Sequence, residues 1–343
     1  MRTSKREGRP NHLSRIDGEI THEAAYNLRL RGLGSWDIFC SRDVRPWLEN
    51  LARIMELKPG GSGASNRLYF LDAGLCIEDS NSGRLLCNGS LREVLPEEGW
   101  KLFEFPMFRL RMHEASADAV FEVWPGNDIF LNVIKMRLSL FPVYLRAQRY
   151  GGILLHAALV EKNRRGFLLA ASSAGGKSTA CRRLPSPWRV LSDDETLVVR
   201  GNGGEYHAHP FPTWSECLER ACGRTWNMQE DVNLDALFFL EKSEIDEVVP
   251  MGPGHAASLI ARSSQEALGM ALSYLRHEDV AEIRKRVFEN AISFARTLPV
   301  YILRLSPDGP YWEKMEEVLH GREQTGFRTT DDNRRGADTF LQD

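Results

Sequence analysis

In "RPWLENLARIMEL", residues 45–57, apolar side chains recur at helical spacing, and the pattern predicts a helix that stops at the loop "KPGGSGASN". "RLYFLDAG", "FRLRMH" and "AVFEVWPG" follow with aromatic and β-branched residues in short runs, which predicts strands. "FLNVIKMRLSLFPVYLRAQRY" reads as one helix kinked at Pro142. Beyond it, "GILLHAALVEK" is a nearly unbroken apolar run, as in a strand covered on both faces. "GFLLA" predicts the next strand, a small-residue loop follows, and a short helix runs from Lys177 to about Leu184, ended by Pro185 and Pro187. "WRVLSDDETLVVR" predicts a strand, "GNGG" a hairpin turn and "EYHAHPF" the returning strand. A helical "TWSECLERACGRTW", strands at "LDALFFLEK", "DEVVPMG" and "VYILRLS", helices over about 254–297 and a last helix near "YWEKMEEVL" complete the series. This mixture predicts an α/β fold, with α+β the other admissible class.

Four segments are expected. They are a polar N-terminus (1–30) with disordered character, a mixed α/β unit of unassigned role (31–148), a second α/β unit (149–320) and a mobile polar tail (321–343). A chain of 343 residues with 42% hydrophobic and 27% charged residues has the composition of a soluble globular protein. Its formal charge of −3 argues against nucleic acid as partner. Lys135, Arg137 and Pro142 interrupt the longest apolar stretch, which argues against a membrane span. No secretory signal is visible, and the six scattered cysteines suit reduced thiols, so a cytoplasmic location is expected.

The chemistry concentrates at "ASSAGGKST", Ala171 to Thr179. A phosphate-binding loop reads G-x-x-x-x-G-K-[ST]; here Ala171 stands at the first glycine, followed by Ser172, Ser173, Ala174, Gly175, Gly176, Lys177 and Ser178. Backbone N–H groups of such a loop cradle phosphate, the lysine neutralises its charge and the Ser178 hydroxyl would ligate Mg²⁺. Ala171 costs little at negative φ and about 1 kcal/mol at positive φ. Asp193 and Asp194 follow a strand 16 and 17 residues after Lys177. Two carboxylates there can divide metal binding from acceptance of a hydroxyl proton, or form an ordinary solvated strand end. His156, within an apolar run, is a packed core residue or a partner of those aspartates. His207, His209, Cys217 and Cys222 fit no familiar zinc spacing. Thr213 or Ser215 is a helix cap, and Trp214 and Trp226 are packing residues.

Together "LLHAALV", "ASSAGGKST" and "LSDDETLVV" resemble, in order and spacing, the core of HPr kinase/phosphorylase over about 150–240. "YHAHPFPTWSE", "ALFFLEK" and "LPVYILRLSPDGPYWEKMEEVL" are more similar to the SynChlorMet cassette proteins of the ScmC type, over about 30–320. The resemblance implies an HPr kinase-like P-loop domain with a mixed sheet, behind a smaller α/β domain. It implies ATP and Mg²⁺ as cofactors and phosphoryl transfer to a serine of a peptide or small protein. Lys177 and Ser178 would then take the phosphate and metal roles, Asp193 that of base, Asp194 that of metal-side carboxylate, and His156 that of their neighbour. The cassette setting implies a precursor peptide and its modifying enzymes as partners, and a homo-oligomer is admissible. Two of the family's loop glycines are replaced and one is gained, and its later glycine- and arginine-bearing substrate loop is missing. A second expectation therefore stands beside the kinase: a nucleotide-binding carrier that presents a precursor without transferring phosphate.

Overall fold

A computed structural model describes residues 24–64, 66–73, 76–79, 84–87, 98–124, 126, 128–172, 175–219 and 223–324. The fold is mixed α/β and has two mixed sheets. In the first half, β1 (Tyr26–Leu30), β2 (Gly34–Cys40), helix α1 (Arg45–Ile54), β3 (Lys58–Pro59) and β4 (Asn66–Asp72) follow one another. A small ribbon, β5 (Cys76–Asp79) with β6 (Arg84–Cys87), precedes β7 (Trp100–Phe105), β8 (Phe108–His113) and β9 (Ala119–Val123). Sheet order is β3-β1-β2-β4-β9-β8-β7, with β2, β4 and β9 parallel. Strand β1 begins inside the stretch expected to be a polar terminus; residues 1–23 lie outside the described residues.

The predicted kinked helix is two helices, α2 (Ile129–Leu138) and α3 (Phe141–Arg149). Pro142 lies in the first turn of α3, where its missing N–H costs nothing, so the chain restarts a helix there rather than bending one.

In the second half come β10 (Ile153–Leu155), β11 (Ala157–Lys162), β12 (Arg165–Ala170), α4 (Lys177–Arg183), β13 (Arg189–Ser192), β14 (Glu195–Arg200), β15 (Tyr206–Phe211) and α5 (Trp214–Glu219). Then follow β16 (Val232–Lys242), β17 (Glu247–Pro250), α6 (Pro253–Leu272), α7 (His277–Thr297), β18 (Val300–Leu305) and α8 (Tyr311–Gln324). Strands β12, β16 and β18 are parallel. Their side chains alternate between two cores. Leu168 and Leu237 face the core shared with α6, α7 and the first half, whereas Phe167, Leu169, Ala236 and Phe238 face α4 and α8. The larger core runs without interruption from Leu28 to Val300.

Two expected strands are each split. "GILLHAALVEK" breaks at His156 into β10 and β11, and "WRVLSDDETLVVR" breaks at Asp193–Asp194 into β13 and β14. Strand β10 pairs with β14 and β11 with β13, both antiparallel. Leu155 faces Thr196 and Leu159 faces Ser192, four positions further along each strand, so a single register spans an unpaired gap. The predicted helix after Trp214 also ends early, at Glu219; from Gly223 to Asn227 the described chain is neither helix nor strand, and Met228 lies in a turn. Helix α8 extends to Gln324, four residues into the expected tail; 325–343 lie outside the described residues. Among the described residues no helix is long and apolar enough to cross a membrane.

Candidate functional site

The gap between the two split strands and the loop after β12 form one site. That loop leaves the carboxyl end of a strand within the parallel set, the usual place for ligand crevices in such sheets. Ser173 and Ala174 lie outside the described residues; Ala171, Ser172, Gly175 and Gly176 frame the loop on either side. Gly176 caps α4 with φ 95°, a left-handed conformation that favours glycine. At Gly175 the need is spatial: a Cβ there would stand 2.6 Å from the Ala171 methyl and 2.8 Å from the Ser172 carbonyl oxygen. The glycine missing at 171 and the glycine gained at 175 are thus one exchange of volume.

Lys177, the first residue of α4, is buried and points back across the loop. Its Nζ donates to the Ala171 carbonyl at 3.1 Å and lies 2.8 Å from His156 Nε2. Burial lowers its pKa, against the pull of Asp194 and Glu266. His156 sits at the β10–β11 break. Its Nε2 is 3.0 Å from Asp194 Oδ1 and its Nδ1 3.3 Å from Glu266 Oε2 on α6. The Asp194 bond raises the His156 pKa, opposed by burial and by Lys177. For Asp194, burial acts upward, but His156, Lys177 and Arg137 together hold the carboxyl below its ordinary range.

Asp193 turns to a different neighbourhood. Its Oδ1 accepts from Thr213 Oγ1 at 2.6 Å and from Arg224 Nη1 at 3.3 Å. The structure thus brings Lys177 and Asp194 onto the same ring nitrogen of His156, which serves one or the other, and sets Asp193 beside them in a separate pair of contacts. Ser178 and Thr179 are exposed on the first turn of α4, where Thr179 Oγ1 accepts from Arg182.

A cleft of about 590 Å³ opens on this cluster, lined by Arg137, His156, Ser172, Asp194, Glu195, Arg262, Glu266 and Ala267. Glu195 is buried, and burial pushes its pKa up to about 7 despite its ion pair with Arg137. Among the described residues its Oε2 has no hydrogen-bond partner.

Glu266, Ser263, Glu195, Arg137 and Arg224 were not found by reading the sequence. Glu266 lies 110 positions from His156 on a helix whose neighbours are small and apolar, and only its i,i+4 partner Arg262 marks it. Thr213 was read as a cap, yet its hydroxyl goes to Asp193. Trp214 and Trp226 are buried packing residues, as expected.

The histidine and cysteine cluster near 207–222 has other work. The buried His209 ring bonds backbone on both sides, with Nδ1 2.9 Å from the Met228 carbonyl and Nε2 accepting from Arg31 N–H at 3.2 Å. Cys217 is disulfide-bonded, which corrects the expectation of reduced thiols throughout, and Cys40 and Cys181 are free and buried. Cys222 lies outside the described residues. Among the described residues no group of three His, Cys, Asp or Glu side chains is placed to hold a metal alone.

Residues 120–320, more than half of the chain, match the family described as SynChlorMet cassette protein ScmC. No curated protein matches the chain.

Proposed function

Because the chain belongs to the SynChlorMet cassette protein ScmC family, we propose that it is an HPr kinase-like, Mg-ATP-dependent phosphotransferase acting on a hydroxyl of a peptide or small protein. The carrying observation is the convergence of Lys177 and Asp194 on His156 Nε2, drawn from three separate places in the fold to the mouth of a glycine-bearing loop. A buried ammonium whose oxygen and nitrogen partners are neutral or shared suits an incoming polyanion. The close approach at Gly175 leaves backbone rather than side chain facing the loop's concavity. The residues fit the cofactor pair: Lys177 and the loop for phosphate, and Ser178 with Asp194 for Mg²⁺. A metal of this kind takes one or two protein ligands and completes its shell with phosphate and water, so a full protein cage is not required.

Bound Mg-ATP would supply the transferable phosphoryl group and a divalent charge to balance it. The chain's own part is positioning and charge. Lys177 exchanges its His156 contact for phosphate oxygen. Asp193 accepts the proton of the acceptor hydroxyl, its Oδ1 fixed by Thr213 and Arg224 and its other oxygen left for the acceptor. Once Lys177 has left Nε2, a protonated His156 keeps Asp194 oriented. The acceptor we favour is a serine of a cassette precursor peptide, and the setting we favour is the cytoplasm.

A second reading, a nucleotide-dependent carrier without transfer, is favoured by the engagement of Asp193 with Thr213 and Arg224. Calorimetric titration of Mg-ATP into wild type and Lys177→Ala tests what both readings share. Saturable binding that the substitution abolishes is expected, and no binding by folded wild type removes both. Mass spectrometry of candidate peptides then separates them. The transferase adds phosphate in wild type and not in Asp193→Asn, whose Mg-ATP affinity stays within about threefold because an isosteric amide leaves the phosphate contacts in place.

A further inference from the structure

We propose that Glu266 of α6 is a positioning residue of this site, fixing His156 with Nδ1–H toward α6 and the Nε2 lone pair toward Lys177. The purpose of the arrangement rests on the phosphotransferase reading; its geometry stands alone.

His156 occupies a break between two strands, where its backbone groups have no ladder partners of the ordinary kind. Helix α6 supplies both. His156 N–H donates to the Ser263 carbonyl at 3.4 Å, and Ser263 Oγ donates to the His156 carbonyl at 3.3 Å. One turn further along the same helix, Glu266 Oε2 meets ring Nδ1 at 3.3 Å, and Arg262 Nε holds the other carboxylate oxygen at 3.3 Å. Three contacts from one helix therefore locate the backbone and the ring of His156 together.

The ring's valence makes the Glu266 contact decisive. An ionised carboxylate only accepts, so its bond to Nδ1 requires the hydrogen to be there. A neutral imidazole then carries a lone pair on Nε2, which is what Lys177 Nζ needs at 2.8 Å. Asp194 Oδ1 lies 3.0 Å from the same Nε2 and is bonded through it only when the ring is protonated; in the neutral ring that atom serves Lys177. Were the hydrogen on Nε2 instead, it would go to Asp194 and Lys177 would lose its acceptor. Glu266 thus selects which of two claimants Nε2 serves. The remaining charged groups around the cleft, Arg137 and Glu195, pair with each other. A merely structural Glu266 would serve only as an i,i+4 partner of Arg262 on the surface of the helix.

The test is ¹⁵N NMR of the histidine rings in the full chain without nucleotide, at a pH where His156 is neutral, with His156→Asn identifying its signals. Expected is the Nδ1–H tautomer in wild type, the Nε2–H tautomer in Glu266→Ala, and a return to Nδ1–H in Glu266→Gln, whose amide oxygen still accepts. An Nε2–H ring in wild type, or an unchanged tautomer in Glu266→Ala, overturns the proposal. Alanine suits an exposed helix position, so the variant is expected to fold. A wild type that passes this test yet binds no Mg-ATP would sink the phosphotransferase reading while leaving the Glu266 assignment in place.

Discussion

Ala171 departs from the phosphate-loop pattern by one methyl group, and the structure says where that methyl is accommodated. It occupies volume that a side chain at 175 would otherwise claim, so Gly175 answers Ala171. Gly175→Ala is therefore expected to destabilise the fold by about 1–3 kcal/mol, the usual cost of an added methyl without room. Its backbone φ is not left-handed, so the penalty is packing alone. The double variant Ala171→Gly/Gly175→Ala is expected to recover part of that loss, since the contact with the Ser172 carbonyl remains. Thermal unfolding of the two single variants and the double measures the coupling; strict additivity would refute the exchange. Gly176→Ala should find no such partner, because its requirement is the positive φ of the cap.

At the split strands, polar groups take over where the ladder stops. Thr196 Oγ1 donates to the Ala157 carbonyl at 2.9 Å and lies 3.2 Å from Ser192 Oγ, all of it buried. Thr196→Val should cost about 1–3 kcal/mol by leaving those buried groups short of a partner, readable as a lower denaturant midpoint at unchanged slope. Such a place was half legible beforehand. The apolar runs correctly announced strands, and "KST" and "SDDE" correctly announced unusual polar company. That each run would break at its polar residue was not legible, because hydropathy does not record a change of pairing partner. The α2–α3 break was missed because apolar spacing continues across it, and only Pro142 marks the restart. The helix after Trp214 was drawn too long because its pattern is helical, whereas Arg224 is held out of a helix by Asp193 and by stacking on Trp226. Glu266 and Ser263 were out of reach for a simpler reason: nothing local ties a helix to a histidine more than 100 positions away.

The two halves are sewn together by a shared apolar core and by backbone ties. Trp226 N–H donates to the Ile54 carbonyl at 2.8 Å, and His209 bridges Arg31 in one half to Met228 in the other. Burial pulls the His209 pKa down to about 4, from an ordinary value near 6.5. The unfolded chain therefore takes up a proton at about pH 6.5 that the native ring refuses until about pH 4. Stability from this group is whole above pH 6.5 and declines as the pH falls to 4, by about 3 kcal/mol at most. His209→Gln should lower stability at neutral pH and flatten that slope, measured by urea unfolding between pH 4 and 8. An equally steep slope in the variant would place the acid sensitivity elsewhere. Since the core is continuous from Leu28 to Val300, both halves should melt in one transition rather than two.

The single register across the gap works as a ruler between the two walls of the site. That register sets His156 opposite Glu195 and Ala157 opposite Asp194, so His156 and Asp194 lie diagonally across the gap, whatever the length of the hairpin turn at Asn163–Arg164 or of the stretch Pro185–Pro187. Extra residues in either place leave the ruler unread, and the two side chains stay within reach across the gap. One extra residue between Leu155 and Leu159, or between Ser192 and Thr196, offsets the marks and turns a whole wall to the other face. Among chains built on this plan, loop lengths are free to drift while these two four-residue intervals keep their count, which gives an aligner an anchor that no side-chain identity supplies.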